Sequence, residues 1–540
     1  MDYSSQEFDP HPFTIKLWPP SASTRTMLVE NMTQNLSSES FFSRKYGLLS
    51  KEEAHENAKR IEDDCFVAAS KHFEKEPDGD GSSAVQFYAK QTSKLMLEVL
   101  KRGPKPKDGE SAAVDRPAAE VVFDISGGTR AFVDAEEARS LLSPLTEQGN
   151  SFRKICLSNR SFGIDAAHVA GPILASLKEQ LTEVNLSDFI AGRPEDEALE
   201  VMKIFSSALE GCVLRLLNLS DNALGEKGVR AFESLLRSQK RLEELYLMND
   251  GISEEAAKAV CELIPCTDKL KILHFHNNMT GDEGAVAISE VLRRSPRLED
   301  FRCSSTRVGS VGGIELAKAL DTCTRLKRID LRDNIFGVDA GMALSRTLEK
   351  LVHVKEIHLS YLNLEDEGAI AIADALKQSA PSLEGLDIAG NEITPKAAPA
   401  LAGCVAVKTS LRMLILSENE LRDQGAVLIG KALEEGHTQL RELDLSTNLI
   451  QRVGARCLAQ AVSNKPDFKL LNINGNAISD EGIDEVKEIL KNGKNSVDVL
   501  GPLDENDVEG DEDEDEGEKE GGASEGELES GLKHLEVEQD

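Results

Sequence analysis

A sequence pattern that repeats about every 28 residues constrains this chain more than any other feature. In residues 214–239, Leu214, Leu217, Leu219 and Asn222 follow the spacing L-x-x-L-x-L-x-x-N. The asparagine position, which we call the slot, occurs twelve times, at steps of 28 or 29 residues except for one step of 33. The slots are 160, 189, 222, 250, 278, 306, 334, 362, 391, 419, 448 and 476. Twelve units of one period predict a leucine-rich repeat solenoid.

The chemistry of one repeat explains this spacing. Alternate leucines form the inner face of a short strand, and the helix that follows buries its apolar stripe against that strand. This predicts an α/β fold, a ribonuclease-inhibitor-like crescent with parallel strands on one side and helices on the other. The slot amide is expected to bind backbone groups of the loop that leaves the strand. Seven slots hold Asn, and the other five are Arg160, Phe189, Asp250, Thr306 and Leu362.

Residues 1–110 carry no repeat and predict a small all-α domain. The only tryptophan, Trp18, precedes Pro19 and Pro20, and two prolines favour a helix that starts just after them. Ser50 and Glu53 form a capping box at the start of a second helix, and the glycine-rich loop 77–81 separates it from a third. Trp18 beside two prolines is interpreted as a core anchor, with a docking surface for a partner helix as the alternative.

The remaining boundaries follow from composition. Gly103–Asp115 has the composition of a linker, and we place the linker proper at 111–118. Residues 119–149 predict a cap for the first repeat, with a strand at 121–123 and a helix that begins at Asp134. The solenoid is predicted over 150–503. Residues 504–540 hold 18 acidic and 2 basic residues, which predicts a disordered acidic tail.

Composition limits the function classes. The net charge is −33, which argues against nucleic-acid binding and favours a basic protein partner. No apolar run is long enough to span a membrane, and the N-terminus lacks a signal peptide, so we expect a reducing compartment and no membrane insertion. The nine cysteines contain no C-x-x-C pair and are interpreted as buried hydrophobes. No phosphate loop or catalytic motif is present, and we expect neither a cofactor nor a metal.

The single long step points to a candidate functional loop. Its extra residues fall in Ile190–Glu197, with Arg193 at the predicted tip between a glycine and a proline. A solvated arginine in an insertion loop is the alternative. His274 and His276 suggest a metal site, but no cysteine or carboxylate is placed to converge on them, so a polar surface for a protein partner is preferred.

Three motifs together resemble one protein family. The loop IAGRPEDE, the repeat SDNALGEKG and the acidic C-terminus resemble the Ran GTPase-activating proteins, and LWPPS near the N-terminus resembles the WPP domain found joined to them in plants. The resemblance covers nearly the whole chain. It implies a GTPase activator without enzyme chemistry of its own, which orients the catalytic glutamine and switch region of Ran-GTP rather than inserting an arginine finger.

The resemblance also implies which residues contact Ran. Arg193 matches the arginine of the family loop, and Asn222 matches the asparagine of S-D-N in repeat three. Asn249 and Asp250 match a turn where other members often have two asparagines. Asp333 is a further candidate on the same edge. These residues follow strands of neighbouring repeats, whose loops stack about 5 Å apart.

The resemblance implies a location as well. Trp18, Pro19 and Pro20 would target the chain to the cytoplasmic side of the nuclear envelope through coiled-coil partners, with cytoplasmic, cell-plate and spindle pools. The alternative function is a passive leucine-rich repeat scaffold or adaptor at the envelope. A scaffold would not need the arginine loop.

Overall fold

The computed structural model describes residues 18–37, 49–75, 81–102, 121–127, 130–494 and 497–506. The chain divides into two compact units, Met1–Arg116 and Pro117–Asp540. The predicted linker lies outside the described residues, as do residues 507–540 of the predicted tail. Within the described residues, no helix is both long and apolar enough to cross a membrane.

The first unit contains three described helices, α1 (Ala22–Ser37), α2 (Lys51–Lys75) and α3 (Ser82–Arg102). This confirms the predicted helix after the two prolines and the two helices that follow. The N–H of Glu53 donates to Ser50 Oγ at 3.2 Å, so Ser50 caps α2 as predicted. The predicted break between α2 and α3 falls on residues 76–80, which lie outside the described part.

Trp18 belongs to the core of this first unit. It is 5% exposed, and its ring centroid lies 5.4 Å from that of Phe66 and 5.8 Å from that of Tyr88. A Cβ added to Gly81 would lie 2.5 Å from Trp18 Cβ, so the chain needs glycine where it passes the tryptophan. The core-anchor interpretation is confirmed. The alternative, in which Trp18 itself is a docking surface, is wrong because the ring is enclosed by its own helices.

The second unit is built on a thirteen-stranded parallel sheet, which runs β1-β3-β5 and then in unbroken sequence order from β6 to β15. This confirms the predicted solenoid with one strand per repeat, and β1 extends the sheet as the predicted cap strand. A separate pair, β2 with β4, was not predicted. The strands are β1 Val121–Asp124, β2 Ala131–Val133, β3 Phe152–Cys156, β4 Arg160–Phe162, β5 Glu183–Asn185, β6 Leu216–Asn218, β7 Glu244–Tyr246, β8 Ile272–His274, β9 Asp300–Arg302, β10 Arg328–Asp330, β11 Glu356–His358, β12 Gly385–Asp387, β13 Met413–Ile415, β14 Glu442–Asp444 and β15 Leu470–Asn472.

Each repeat places its helices against one face of the sheet, and consecutive helices contact each other. The helices are α4 Ala135–Leu141, α5 Ile164–Ser176, α6 Glu195–Leu209, α7 Gly225–Ala231, α8 Glu233–Ser238, α9 Glu254–Leu263, α10 Gly281–Arg293, α11 Ser310–Leu320, α12 Gly337–Leu348, α13 Glu365–Gln378, α14 Ala398–Val407, α15 Arg422–Glu434, α16 Arg452–Val462 and α17 Asp480–Asn492. Short 3₁₀ helices occupy Ser143–Thr146 and Val497–Val499. The repeat leucines form one continuous core, in which Leu214, Leu217 and Leu219 are at most 1% exposed.

The slot amides bind backbone as predicted. Asn391 is 0% exposed, and its Nδ2 donates to the carbonyls of Leu359, Ile388 and Ala389 at 2.9–3.0 Å. Its Oδ1 accepts the N–H of Leu362 in the preceding repeat at 3.0 Å. Because one amide joins two repeats, the slot row ties neighbouring repeats together through buried hydrogen bonds.

The two ends of the solenoid are covered differently. At the start, Asp134 caps α4, and its Oδ1 accepts the N–H groups of Glu136 and Glu137, both at 2.9 Å. At the other end, Asn506 Oδ1 accepts the N–H of Asn476 at 3.1 Å, as a slot residue would. Residues 504–506 were predicted to belong to the tail. The structure corrects this, because they complete the last repeat.

Candidate protein-interaction site

The candidate residues follow the C-terminal ends of the strands, along a line that we call the carboxyl edge of the sheet. Arg193 is the first of them, and its side chain is only 16% exposed. Its Nε donates to Ser161 Oγ at 3.1 Å, and its Nη2 donates to Ser161 O at 2.7 Å and to Val133 O at 3.4 Å. Its Nη1 lies 3.3 Å from Glu197 Oε1. The guanidinium is therefore held in one orientation by three neighbouring segments.

Arg193 does not lie at an exposed loop tip, as the sequence predicted. The N–H of Arg193 donates to Ile190 O at 3.2 Å, and α6 begins at Glu195, so the inserted sequence is a tight turn that leads directly into a helix. Gly192 has φ +79°, a conformation that favours glycine. This turn directs the arginine side chain back onto the scaffold instead of into solvent.

Phe132 was missed by sequence reasoning. This residue of β2 is 59% exposed, and its ring centroid lies 4.8 Å from the Arg193 Cζ. That geometry is a cation–π contact. A Cβ added to Gly192 would lie 3.1 Å from the Phe132 Cζ, so glycine also leaves room for the ring. An isolated aromatic residue sixty positions before Arg193 carried no signal, because only the pairing of β2 with β4 brings the two together.

Arg193 and Asn222 line the same cavity of about 720 Å³, between the loop at 190–193, the start of α6 and the third repeat. Asn222 is nevertheless 2% exposed. Its Nδ2 donates to the carbonyls of Leu186, Leu219 and Ser220 at 2.7–3.0 Å, and its Oδ1 accepts the N–H of Phe189 at 3.0 Å. Both ends of the Asn222 amide are therefore bound to backbone, and its contact with a partner stays a prediction.

Asp250, whose contact with a partner also stays a prediction, is enclosed by the loops around it. It is 0% exposed, and its Oδ1 accepts the N–H of Asn222 at 2.8 Å. Its Oδ2 has no hydrogen-bond partner among the described residues. Burial in this environment raises the pKa of the Asp250 carboxyl well above its ordinary value, although the Asn222 N–H opposes the shift. Asp250 is a slot residue that supports the loop beneath Asn222.

The exposed candidates are the residues immediately before the slots. Asn249 and Asp333 are exposed and have φ of 55° and 54°. Asn249 Nδ2 donates to Asp221 Oδ1 at 3.0 Å, and Asn277 Nδ2 donates to Asn249 Oδ1 at 3.0 Å. Asp221 and Asn277 were missed, although they recur at the slot period and that regularity could have found them. They form a hydrogen-bonded row across three repeats.

Asn249 and Asp333 lie three repeats apart, or about 14 Å at the usual strand spacing. They are joined by a second cavity of about 540 Å³, which both residues line. Met279 and Ile335 also line it and are 45% and 62% exposed. The carboxyl edge from Arg193 to Asp333 therefore offers polar side chains and two exposed apolar ones, a combination that suits a protein partner.

His274 belongs to an ion-paired network on the open face of the sheet, and the ring centroid of His276 lies 6.2 Å from that of His274. Among the described residues, no group of three or more His, Cys, Asp or Glu side chains could hold a metal ion. His274 Nε2 instead lies 3.0 Å from Asp300 Oδ1. Burial would raise the pKa of Asp300, but hydrogen bonds from His274 and Arg302 outweigh it and lower that pKa to about 2. These charges are neutralised within the sheet face.

The fold defines this chain as a leucine-rich repeat protein joined to a small helical domain. A family model of the WPP domain matches residues 14–110, and a leucine-rich repeat model matches residues 212–232, 350–373 and 465–486. The chain is 69% identical over 501 residues to RAN GTPase-activating protein 2 of Arabidopsis thaliana, which covers 92% of this chain and 91% of that protein. It is 62% identical over 509 residues to RAN GTPase-activating protein 1 of the same plant, 94% of each chain. This chain belongs to the family of plant-type Ran GTPase-activating proteins.

Its N-terminal part has relatives of its own. It is 34% identical over 119 residues to MFP1 attachment factor 1 of Solanum lycopersicum, which covers 21% of this chain and 77% of that protein. The family-level resemblance seen in the sequence is thereby confirmed for both parts of the chain.

Proposed function

We propose that this chain activates GTP hydrolysis by the small GTPase Ran and that the carboxyl edge is its contact surface. The main support for this proposal is the 69% identity to a Ran GTPase-activating protein over nine tenths of both chains. Ran supplies the catalytic site in this proposal, and the chain supplies residues that hold Ran's own catalytic groups in place. We therefore describe it as an activator rather than as an enzyme.

The geometry of Arg193 supports a fixed role. All three guanidinium nitrogens are engaged, by Ser161, Val133 and Glu197. An arginine that inserted into a partner as a finger would have to give up these contacts. A held arginine can instead present its remaining edge to Ran from one position, at little cost in side-chain entropy.

Two further roles complete the proposal. Asn222 and Asp250 act beneath the surface by fixing the loops that carry Asp221 and Asn249, while Asn249 and Asp333 contact Ran directly.

The N-terminal unit attaches the chain to the cytoplasmic side of the nuclear envelope through coiled-coil proteins, and cell-plate and spindle pools form during division. The likeness to an attachment factor supports this second role.

Single-turnover GTP hydrolysis by Ran, with saturating activator, tests the proposal. Arg193→Ala is expected to lower the stimulated rate by two orders of magnitude or more, since each 1.36 kcal/mol is about tenfold. Because Arg193 makes several hydrogen bonds, a stability loss of about 1–2 kcal/mol should accompany it. Arg193→Lys keeps the charge without the planar fork and should not restore the rate.

Arg452→Ala is the matched control. This half-exposed arginine pairs with Glu481 and Glu485 in a distant repeat, so its loss should leave the stimulated rate unchanged. If Arg193→Ala stimulates hydrolysis fully, the assignment of Arg193 to the contact site is wrong, but the proposed activator function still stands. No stimulation by the wild-type chain would eliminate the activator and favour a passive scaffold.

Phe132 gives a finer test of the same site. Phe132→Leu removes the cation–π contact, worth about 0.5–1 kcal/mol, so the saturated rate should fall about 2–5-fold. The half-saturating concentration should stay the same if the ring only positions Arg193, and Phe132→Tyr should restore the rate. A change confined to half-saturation would show instead that Phe132 is a simple binding contact.

A further inference from the structure

The opposite edge of the sheet carries a charge that the proposed function does not use. We call it the amino edge and define it by the residues seven and nine positions before each slot. These rows contain twelve basic residues and four acidic ones. The basic residues are Arg153, Arg215, Arg241, Lys269, Lys271, Arg297, Arg325, Lys327, Lys355, Arg412, Arg441 and Lys469. The acidic residues are Glu243, Glu299, Glu384 and Asp467, which leaves a formal charge of +8 in a chain of −33.

The carboxyl edge has the opposite sign. The residues immediately before and after the slots include one basic residue, Arg307, and six acidic ones. The acidic ones are Asp188, Asp221, Asp333, Glu392, Glu418 and Glu420, so the formal charge of these two rows is −5. A basic partner that binds the acidic carboxyl edge would therefore not neutralise the basic amino edge.

The backbone makes the amino edge continuous. The residues seven before the slot are joined by consecutive N–H···O hydrogen bonds of 2.7–2.8 Å from Arg153 to Lys469. Some basic side chains are neutralised locally, such as Lys327 by Glu299 and Lys355 by Glu384. Arg441 and Lys469, in the last two repeats, differ from these lysines. Both are exposed, and neither hydrogen-bonds to a carboxylate in the part of the chain that the structure describes.

The chain itself contains a polyanion of suitable length. Residues 507–540 hold 16 acidic and 2 basic residues, a formal charge of −14. They follow Asn506, which occupies the slot position beside Asn476 on the carboxyl edge of the last repeat. The two edges of one repeat are about seven residues apart, or roughly 23 Å. A segment of 34 residues can span up to about 115 Å, so it reaches the amino edge of several repeats.

We propose that the acidic segment 507–540 binds, within the same molecule, to the basic amino edge of the last repeats. Like charge on the carboxyl edge, where the segment begins, disfavours that side. Opposite charge favours the edge that carries Arg412, Arg441 and Lys469. Bound there, the segment shields the amino edge from other polyanions and leaves the carboxyl edge free. This inference does not rest on the proposed function.

Carbodiimide cross-linking of the full chain tests the proposal, because the reagent joins carboxylates to lysine amines that lie in contact. In 10 mM salt, carboxylates of 507–540 should link most to Lys469, and less to Lys355 and Lys327, whose amines already contact Glu384 and Glu299. They should link at least about fivefold less to Lys396 and Lys431, which are exposed but lie outside the amino edge. A mixture of isotopically light and heavy chains separates links within one molecule from links between two.

Salt and charge reversal supply the remaining comparisons. In 1 M salt the Debye length falls from about 30 Å to about 3 Å, so the tail links should drop about tenfold. The link between Lys271 and Glu243, which are 2.7 Å apart, serves as the reference within the same digest. Arg441→Glu with Lys469→Glu should abolish the links to Lys355, whereas Lys396→Glu with Lys431→Glu should not.

Three outcomes would overturn the inference. The first is an equal yield at Lys396 and Lys431, and the second is linking only between light and heavy chains. The third is no tail link at all while the Lys271–Glu243 reference forms. Circular dichroism of the variants shows whether they are folded, and GTPase stimulation is measured separately, so failure here leaves the proposed function standing.

Discussion

At the residue scale, the slot shows how one position can serve structure while lying beside a functional surface. An asparagine satisfies it because the amide both donates and accepts, and Asn391 uses both ends. Asp250 can accept the N–H of Asn222, but its second oxygen is buried without a partner among the described residues. A protonated carboxyl could donate as an amide does, which agrees with the raised pKa of Asp250.

The first prediction concerns this carboxyl. Asp250→Asn should increase the free energy of unfolding by about 1–2 kcal/mol at pH 7, because it removes a buried unsatisfied group. The folded-state pKa is raised, so the folded chain keeps a proton that the unfolded chain releases above about pH 4. The contribution of Asp250 to stability should therefore fall as pH rises above about 4, and the gain from Asp250→Asn should grow over that range.

Thermal or urea unfolding at pH 4 and pH 7 measures this difference. Asn278→Asp is the matched control, since it places the same carboxyl in the next slot and should destabilise by a similar amount at pH 7. An Asp250→Asn variant that is no more stable than wild type at pH 7 would mean that the carboxylate is ionised and satisfied in the folded chain.

At the scale of elements, the end repeats matter because a solenoid has two exposed ends. Strand β1 and helix α4, capped by Asp134, cover the first repeat. At the other end, Leu500 bridges to Leu471 in parallel, and the N–H of Gly501 donates to Leu471 O at 2.8 Å. Asn506 then adds one more bond of the kind that the slot residues make. Each end is therefore closed by an atypical unit, as a repeat array needs.

The second prediction concerns this closure. Asn506→Ala should lower the stability of the last repeat by about 1–2 kcal/mol, because the N–H of Asn476 loses its acceptor. Since repeats interact mainly with their neighbours, the effect should remain local. Hydrogen exchange should accelerate in β15 and α17 and stay unchanged in β6 and β7. Asp504→Ala, at an exposed residue nearby, is the control, and uniform acceleration along the whole sheet would contradict the local closure.

At the scale of the whole molecule, the chain combines a small helical unit with a long repeat unit, each with its own core. The enclosed position of Trp18 changes how the first unit should be tested. Trp18→Ala would remove a buried aromatic side chain, which costs about 3–5 kcal/mol, and would unfold the unit instead of deleting one contact.

The third prediction separates the two units. A chain of residues 117–540 should keep full stimulation of Ran and lose enrichment at the nuclear envelope, because the proposed site lies entirely in the second unit. Trp18→Ala in the full chain should reproduce the lost enrichment with a lower melting temperature for the first unit, whereas Trp18→Phe should retain more of both. Fluorescence imaging and the GTPase assay are the two measurements. Rim staining by residues 117–540 would contradict targeting by the first unit.

The repeat period and its apolar positions were enough to determine the fold, because both depend on residues that lie only a few positions apart in the sequence. The slot spacing predicted the strands, the buried leucines and the backbone duty of Asn391. Asp221 and Asn277 recur at the same period, but only the structure shows that they form a hydrogen-bonded row with Asn249. The insertion and the family resemblance together selected Arg193. The resemblance selected the exposed Asn249, and Asp333 was added as a further candidate on the same edge.

Only the tertiary structure decided which of these side chains can reach a partner. Arg193 points inward because Ser161 and Phe132, more than thirty and sixty residues earlier, are brought against it by the pairing of β2 with β4. Asn222 and Asp250 are covered because loops of adjacent repeats close over them. Exposure and hydrogen-bond partners depend on residues that are distant in the sequence, and local spacing carries no information about them.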